Sequence, residues 1–167
     1  MTRKTLACLL LWASTVIAQE SDAIKAIEAS YTATFERMRQ AKTNADIEKM
    51  VDAMDAPEWV ADLPAGDTLT RSQAIQQLSG FLAVAPENRP IPQQQILYTS
   101  SVGSKVVIVY WVYRVSANSV IGSLARDTWV RTPDGFRRIR HQKLFPDRPL
   151  IENGEPVVLP TLPHSPS

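Results

Sequence analysis

KVVIVYWVYRV, residues Lys105–Val115, decides the fold. Val, Ile, Tyr and Trp in succession favour an extended chain, and at period two both faces of that chain are apolar. Such a strand needs cover on each side. It opens a longer run, Lys105–Leu144, that reads as three antiparallel strands. Leu124–Thr132 follows a polar turn containing Asn118, and Pro133-Asp134-Gly135 returns the chain through Phe136–Leu144.

Working outward, Gln93–Ser101 is a further strand, joined to the first through Val102-Gly103-Ser104. Pro86, Pro90 and Pro92 mark the crossing into the sheet from a helical half. There Ser21 is an N-cap for a helix through about Lys42, with Ile24, Ile27, Tyr31, Phe35 (or Thr34) and Met38 at helical spacing. Thr43-Asn44 breaks that helix and caps a second, whose stripe is Ile47, Met50, Val51 and Met54. Asp46 suits the positive end of its dipole. Glu58–Leu63 reads as a short strand, and Thr70 with Gln73 makes a capping box for a third helix carrying Ala74, Ile75, Leu78, Phe81 and Leu82. Helices followed by consecutive strands give an α+β class with an antiparallel sheet.

The ends read differently. Met1–Ala18 has a short basic start (Arg3, Lys4), an apolar run over Leu6–Ile17 and small residues before a cleavage point near Ala18. It predicts a signal peptide and an exported chain, periplasmic or secreted, with no stable membrane insertion after cleavage. The mature chain then has no cysteine, which excludes disulfides, thiolate metal sites and a cysteine nucleophile. Removing Arg3 and Lys4 takes the formal charge from +1 to −1, a poor match to nucleic acid. Six of the 12 prolines fall in Phe145–Ser167, so a Pro-rich extension over 146–167, disordered in part, follows the domain at 19–145. Asn153-Gly154 is a turn signal for a small docked hairpin.

The last hairpin carries the candidate chemistry. A three-residue loop over Pro133-Asp134-Gly135 would pair Thr132 with Phe136, Arg131 with Arg137, Trp129 with Ile139 and Asp127 with His141. An aspartate beside a histidine can orient its tautomer as a general base requires, so Asp127 and His141 are the candidate catalytic pair. The bland alternative is a structural cross-strand ion pair. Arg131 opposite Arg137 calls for an acid or a carboxylate-bearing ligand between them. Tyr31, Trp59, Trp111 and Trp129, with Arg131, are the candidate lining of a pocket for a small apolar molecule. The two histidines, His141 and His164, make no metal pair, and neither a nucleophile elbow nor a phosphate-cradling glycine loop occurs. No metal and no cofactor is expected.

The long first helix with Ile27, Tyr31 and Phe35, the Pro64–Gly66 turn and the ending RDTWVRTPDGFRRIRHQKL at Arg126–Leu144 resemble the nuclear-transport-factor-2-like superfamily, in its SnoaL-like and ketosteroid-isomerase-like bacterial branch. The resemblance implies a cystatin-like architecture: a cone-shaped roll of about three N-terminal helices packed on a curved antiparallel sheet around an apolar pocket. It also implies homodimers through the sheet. The isomerases' tyrosine with paired acids and the epoxide hydrolases' arginine between two aspartates find no match position by position. Three functions stay open: an exported small-molecule-binding domain, an acid–base enzyme of isomerase or cyclase type using His141 with Asp127, and a dimeric interaction module using the sheet face.

Overall fold

A computed structural model describes residues 3–89, 92–115 and 118–157, with side chains from Asp22 onward. The side chains of the expected leader and everything beyond Pro160 therefore lie outside the described residues. Four strands form the expected meander: β3 (Gln93–Val102), β4 (Lys105–Val115), β5 (Val120–Thr132) and β6 (Gly135–Glu152). Upstream lie β1 (Asp55–Asp62) and β2 (Thr68–Thr70), and the sheet order is β2-β1-β6-β5-β4-β3. The meander is antiparallel, but β1 joins β6 in parallel, so the sheet is mixed.

Strand β6 runs well past the expected end at Leu144, through Pro146 and Pro149 to Glu152. Its first half lies between β1 and β5, whose pairing with it ends, on the β1 side, at Gln142. Beyond that point β1 no longer competes for its backbone, and prolines that lack an N–H are tolerated along an edge. Asn153 (φ 54°) and Gly154 (φ 83°) then turn the chain into β7 (Glu155–Pro156). Both left-handed residues are what a two-residue hairpin turn requires.

The first helix, α1 (Arg3–Gln40), contains Ser21 within its span, so the start expected there is not its beginning. Ala23, Ile27, Tyr31, Thr34 and Met38 make its buried stripe. Ile27 and Tyr31 pack on Val106, Ile108 and Tyr110 of β4 and on Ala125 and Trp129 of β5. Helix α2 (Asn44–Met54) begins at the Thr43–Asp46 capping box and buries Ile47, Met50, Val51 and Met54. Helix α3 (Arg71–Ser79) begins at the Thr70–Gln73 box, and Gly80 tightens its continuation into a 3-10 turn, Gly80–Ala83. Ile47, Met50 and Val51 form a second cluster with Met38 and Ala41, against which Ile75, Leu78 and Leu82 pack.

Helices thus cover one face of the sheet. On β4 the alternation is visible: Val106, Ile108 and Tyr110 are buried, while Val107, Val109 and Trp111 on the other face are half-buried. Among the described residues no helix is long and apolar enough to cross a membrane.

Candidate functional site

The site begins with an irregularity in the last hairpin. Thr132 pairs with Gly135 and Arg131 with Phe136, so the loop is Pro133-Asp134 and not the expected three residues. Trp129 consequently faces Arg138, where Ile139 was expected. Between Trp129 and Thr128 the register shifts, with Thr128 opposite Arg140 and Asp127 opposite His141. Ile139 is the extra residue of a bulge, and a bulge re-aims the side chains on either side of it. The shorter loop and the bulge cancel, so Asp127 meets His141 as expected, but Arg138 comes to lie beside Asp127.

Asp127 has no exposed surface. Its Oδ1 meets His141 Nδ1 at 2.7 Å. Its Oδ2 accepts from Tyr110 Oη at 2.9 Å, from Arg138 Nη1 at 3.2 Å and from the Tyr31 hydroxyl. Arg138 also donates to Asp55, from Nε at 2.7 Å and from Nη2 at 3.1 Å. An arginine between two aspartates is therefore present, although no sequence pattern marked it. Around this group Trp129 Nε1 donates to Tyr31 Oη at 3.3 Å, and the Tyr31 ring packs edge-on against Trp129 with centroids 5.1 Å apart. The Arg138 guanidinium lies 5.2 Å from the Trp59 ring centroid.

Burial alone would push the Asp127 carboxyl up, but Arg138, His141 and the hydrogen bonds from His141 and Tyr31 outweigh it and hold it well below the usual carboxylate range. Asp55 goes the other way. Burial raises its carboxyl, and Arg138 offsets this only in part. Burial and then the Asp127 charge raise both tyrosine hydroxyls, Tyr31 and Tyr110, well above their ordinary value. They are neutral donors to a charged aspartate.

An ionised carboxylate has no proton to give, so His141 Nδ1 carries the hydrogen in the contact with Asp127. That leaves Nε2 as the free lone pair of the neutral ring. Nε2 has no hydrogen-bond partner among the described residues, and the His141 side chain is 24% exposed. The arrangement can take a proton at Nε2 and stabilise the resulting imidazolium through Asp127. Among the described residues no group of three His, Cys, Asp or Glu is placed to hold a metal ion.

Of the residues expected to form a site, Asp127, His141, Tyr31, Trp59 and Trp129 come together. Trp111 does not, because it lies on the outer face, stacked 6.2 Å from Tyr113. Arg131 does not either: it is exposed, 5.2 Å from the Phe136 ring centroid. No carboxylate is needed between Arg131 and Arg137, since the shifted register separates them and Arg137 Nη1 donates to Ala53 O at 2.8 Å. Sequence reasoning missed Tyr110, Arg138 and Asp55. Tyr110 was readable, since it shares a face with Val106 and Ile108. Arg138 was not, because its position depends on the bulge.

No protein-family model matches the chain. None of the curated proteins matches it either. Solved structures do, 157 chains among them. An NTF-2 like protein of unknown function from Shewanella oneidensis is similar over 73% of this chain and 96% of its own, at 7% identity and a TM-score of 0.58. An NTF2-like protein with a cystatin-like fold from Novosphingobium aromaticivorans is similar over 79% and 85%, at 16% identity and a TM-score of 0.56. For an NTF-2 like protein of unknown function from Pseudomonas aeruginosa the values are 72%, 98%, 15% and 0.54. At such identities the likeness is one of fold.

Proposed function

From its nuclear-transport-factor-2-like, cystatin-like fold and its buried Asp127, we propose that this protein is a small-molecule-binding domain that performs acid–base chemistry at His141. The observation that carries the reading is the 2.7 Å contact between Asp127 and His141 Nδ1, with Nε2 left unpartnered and the ring reached by solvent. A purely structural ion pair has no need of a free second nitrogen at the surface. In the proposed role Nε2 removes a proton from a bound molecule and returns it elsewhere, Asp127 orients the ring, and Tyr31, Tyr110 and Arg138 keep Asp127 ionised. Assignment to the SnoaL-like branch and export after cleavage near Ala18 belong to the same reading.

The test is proton exchange into a panel of enolisable carbonyl compounds in deuterated water, followed by proton NMR. Wild type is expected to accelerate exchange of at least one member, and His141→Gln to lower that rate by roughly 10²–10⁴-fold. Exchange that persists in His141→Gln, or exchange of no member of the panel, contradicts the reading.

A second reading, a dimer through the outer sheet face, is favoured by the exposure of Leu97 (51%), Tyr98 (59%) and Val102 (72%). Sedimentation velocity checks it: Tyr98→Lys is expected to shift a dimer to monomer, and a monomeric wild type contradicts it.

A further inference from the structure

The junction of α1 and α2 forms a concave feature, which shares no lining residue with the Asp127 site. It is a cleft of ≈ 540 Å³ lined by Arg37, Ala41, Lys42, Asp46 and Lys49 among others. Its size is that of a small-molecule site. The last carbonyls of α1 carry the negative end of the dipole, and a nearby cation normally settles there.

Here that place is taken from below. Arg89, 5% exposed, donates from Nη1 to Met38 O at 3.2 Å, Arg39 O at 3.0 Å and Ala41 O at 2.5 Å. The helix end is thereby satisfied by a buried guanidinium that has no carboxylate partner among the described residues. Arg37, Lys42 and Lys49 are left without a side-chain hydrogen bond or ion pair among the described residues. Asp46, the one acid in the lining, is committed to the α2 cap. Its Oδ2 accepts from Lys42 N at 3.0 Å, Thr43 N at 3.0 Å and Thr43 Oγ1 at 2.9 Å.

Arg37, Lys42 and Lys49 against Asp46, whose carboxyl the Lys49 charge also helps to lower, give the lining a net +2 over a concave surface, with the Arg89 charge close by. A phosphate monoester, at about −1.5 to −2 near neutral pH, is the complementary group. Arg37 supplies a planar fork for two of its oxygens, and the lysines supply mobile point charges. We propose that this cleft binds the phosphate group of a small phosphorylated molecule, at a site separate from His141.

The test is titration of the full chain with phenyl phosphate at about 0.15 M ionic strength, followed by amide NMR. Saturable shifts confined to residues around Arg37, Lys42 and Lys49 are expected, with none from phenol. The double variant Lys42→Glu, Lys49→Glu is expected to lose at least tenfold in affinity, while Lys105→Glu, on the opposite half of the chain, keeps wild-type affinity. Thermal melts check that each variant is folded. Shifts that never saturate, or an equal loss in Lys105→Glu, overturn the proposal. So does binding to phosphatidylglycerol vesicles with no response to phenyl phosphate, which would make the cleft a membrane contact.

Discussion

Arg138 and Arg140 stand two positions apart on one strand, yet they are held in opposite surroundings. Arg138 is 11% exposed and clamped between Asp55 and Asp127. Arg140 is 52% exposed and meets Asp62 Oδ2 at 2.7 Å, beside Gln142. On an unbroken strand both would share a face. Ile139, the extra residue, parts them. Inside, the arginine's field is little screened, and it keeps a fully buried carboxylate ionised. Outside, the same chemistry is a surface ion pair, which contributes little to stability. One inserted residue therefore decides whether an arginine builds a site or decorates a surface.

The comparison breaks most visibly if the inner arginine is removed. Arg138→Met leaves Asp55 and Asp127 buried without their cation and is expected to lower unfolding stability by about 3–5 kcal/mol, measured by urea titration. Acid titration separates the two aspartates by sign. Asp127 is held below its unfolded value, so its stabilisation is complete above about pH 4 and is lost as pH falls. Asp55 is raised, so its contribution is complete below about pH 4 and declines as pH rises through the raised value. Urea midpoints are expected to fall less on acidification in Asp127→Asn than in wild type. In Asp55→Asn the decline on the way up is expected to vanish.

Smaller effects sharpen the contrast. Tyr110→Phe removes one of the donors to Asp127 Oδ2 in a fully buried setting and is expected to cost about 1–3 kcal/mol in the same urea assay. Arg140→Ala and Arg131→Ala act on exposed side chains and are expected to leave the urea midpoint unchanged within measurement error. Arg131→Ala is also expected to leave exchange at His141 unchanged, since Arg131 packs on Phe136 away from the dyad.

How much of this was legible follows from the same bulge. Helical spacing gave the α2 stripe and, in Ile27, Tyr31 and Met38, part of the α1 stripe, where Ala23 is buried in place of Ile24. The Thr70–Gln73 capping box formed as expected, while Asp46, expected only to suit the dipole, completes a second box with Thr43. Strand alternation gave the inner face of β4. Asp127 and His141 were paired correctly through two compensating errors, a loop one residue too long and an unforeseen bulge. Local rules hold where each residue responds to near neighbours. They fail at Arg138, whose direction is set by how β6 accommodates both β5 and the irregular β1 edge. The prolines of late β6 misled for a related reason, because whether a proline is tolerated depends on a neighbouring strand that sequence does not display.

The most direct measurement is the nitrogen-15 NMR spectrum of the neutral His141 ring in the folded protein. The expected result is a proton on Nδ1, facing Asp127, with the lone pair on Nε2, and a weakening of that preference in Asp127→Asn. A neutral wild-type ring that carries its proton on Nε2 would contradict the claim that Asp127 aims His141 as a base.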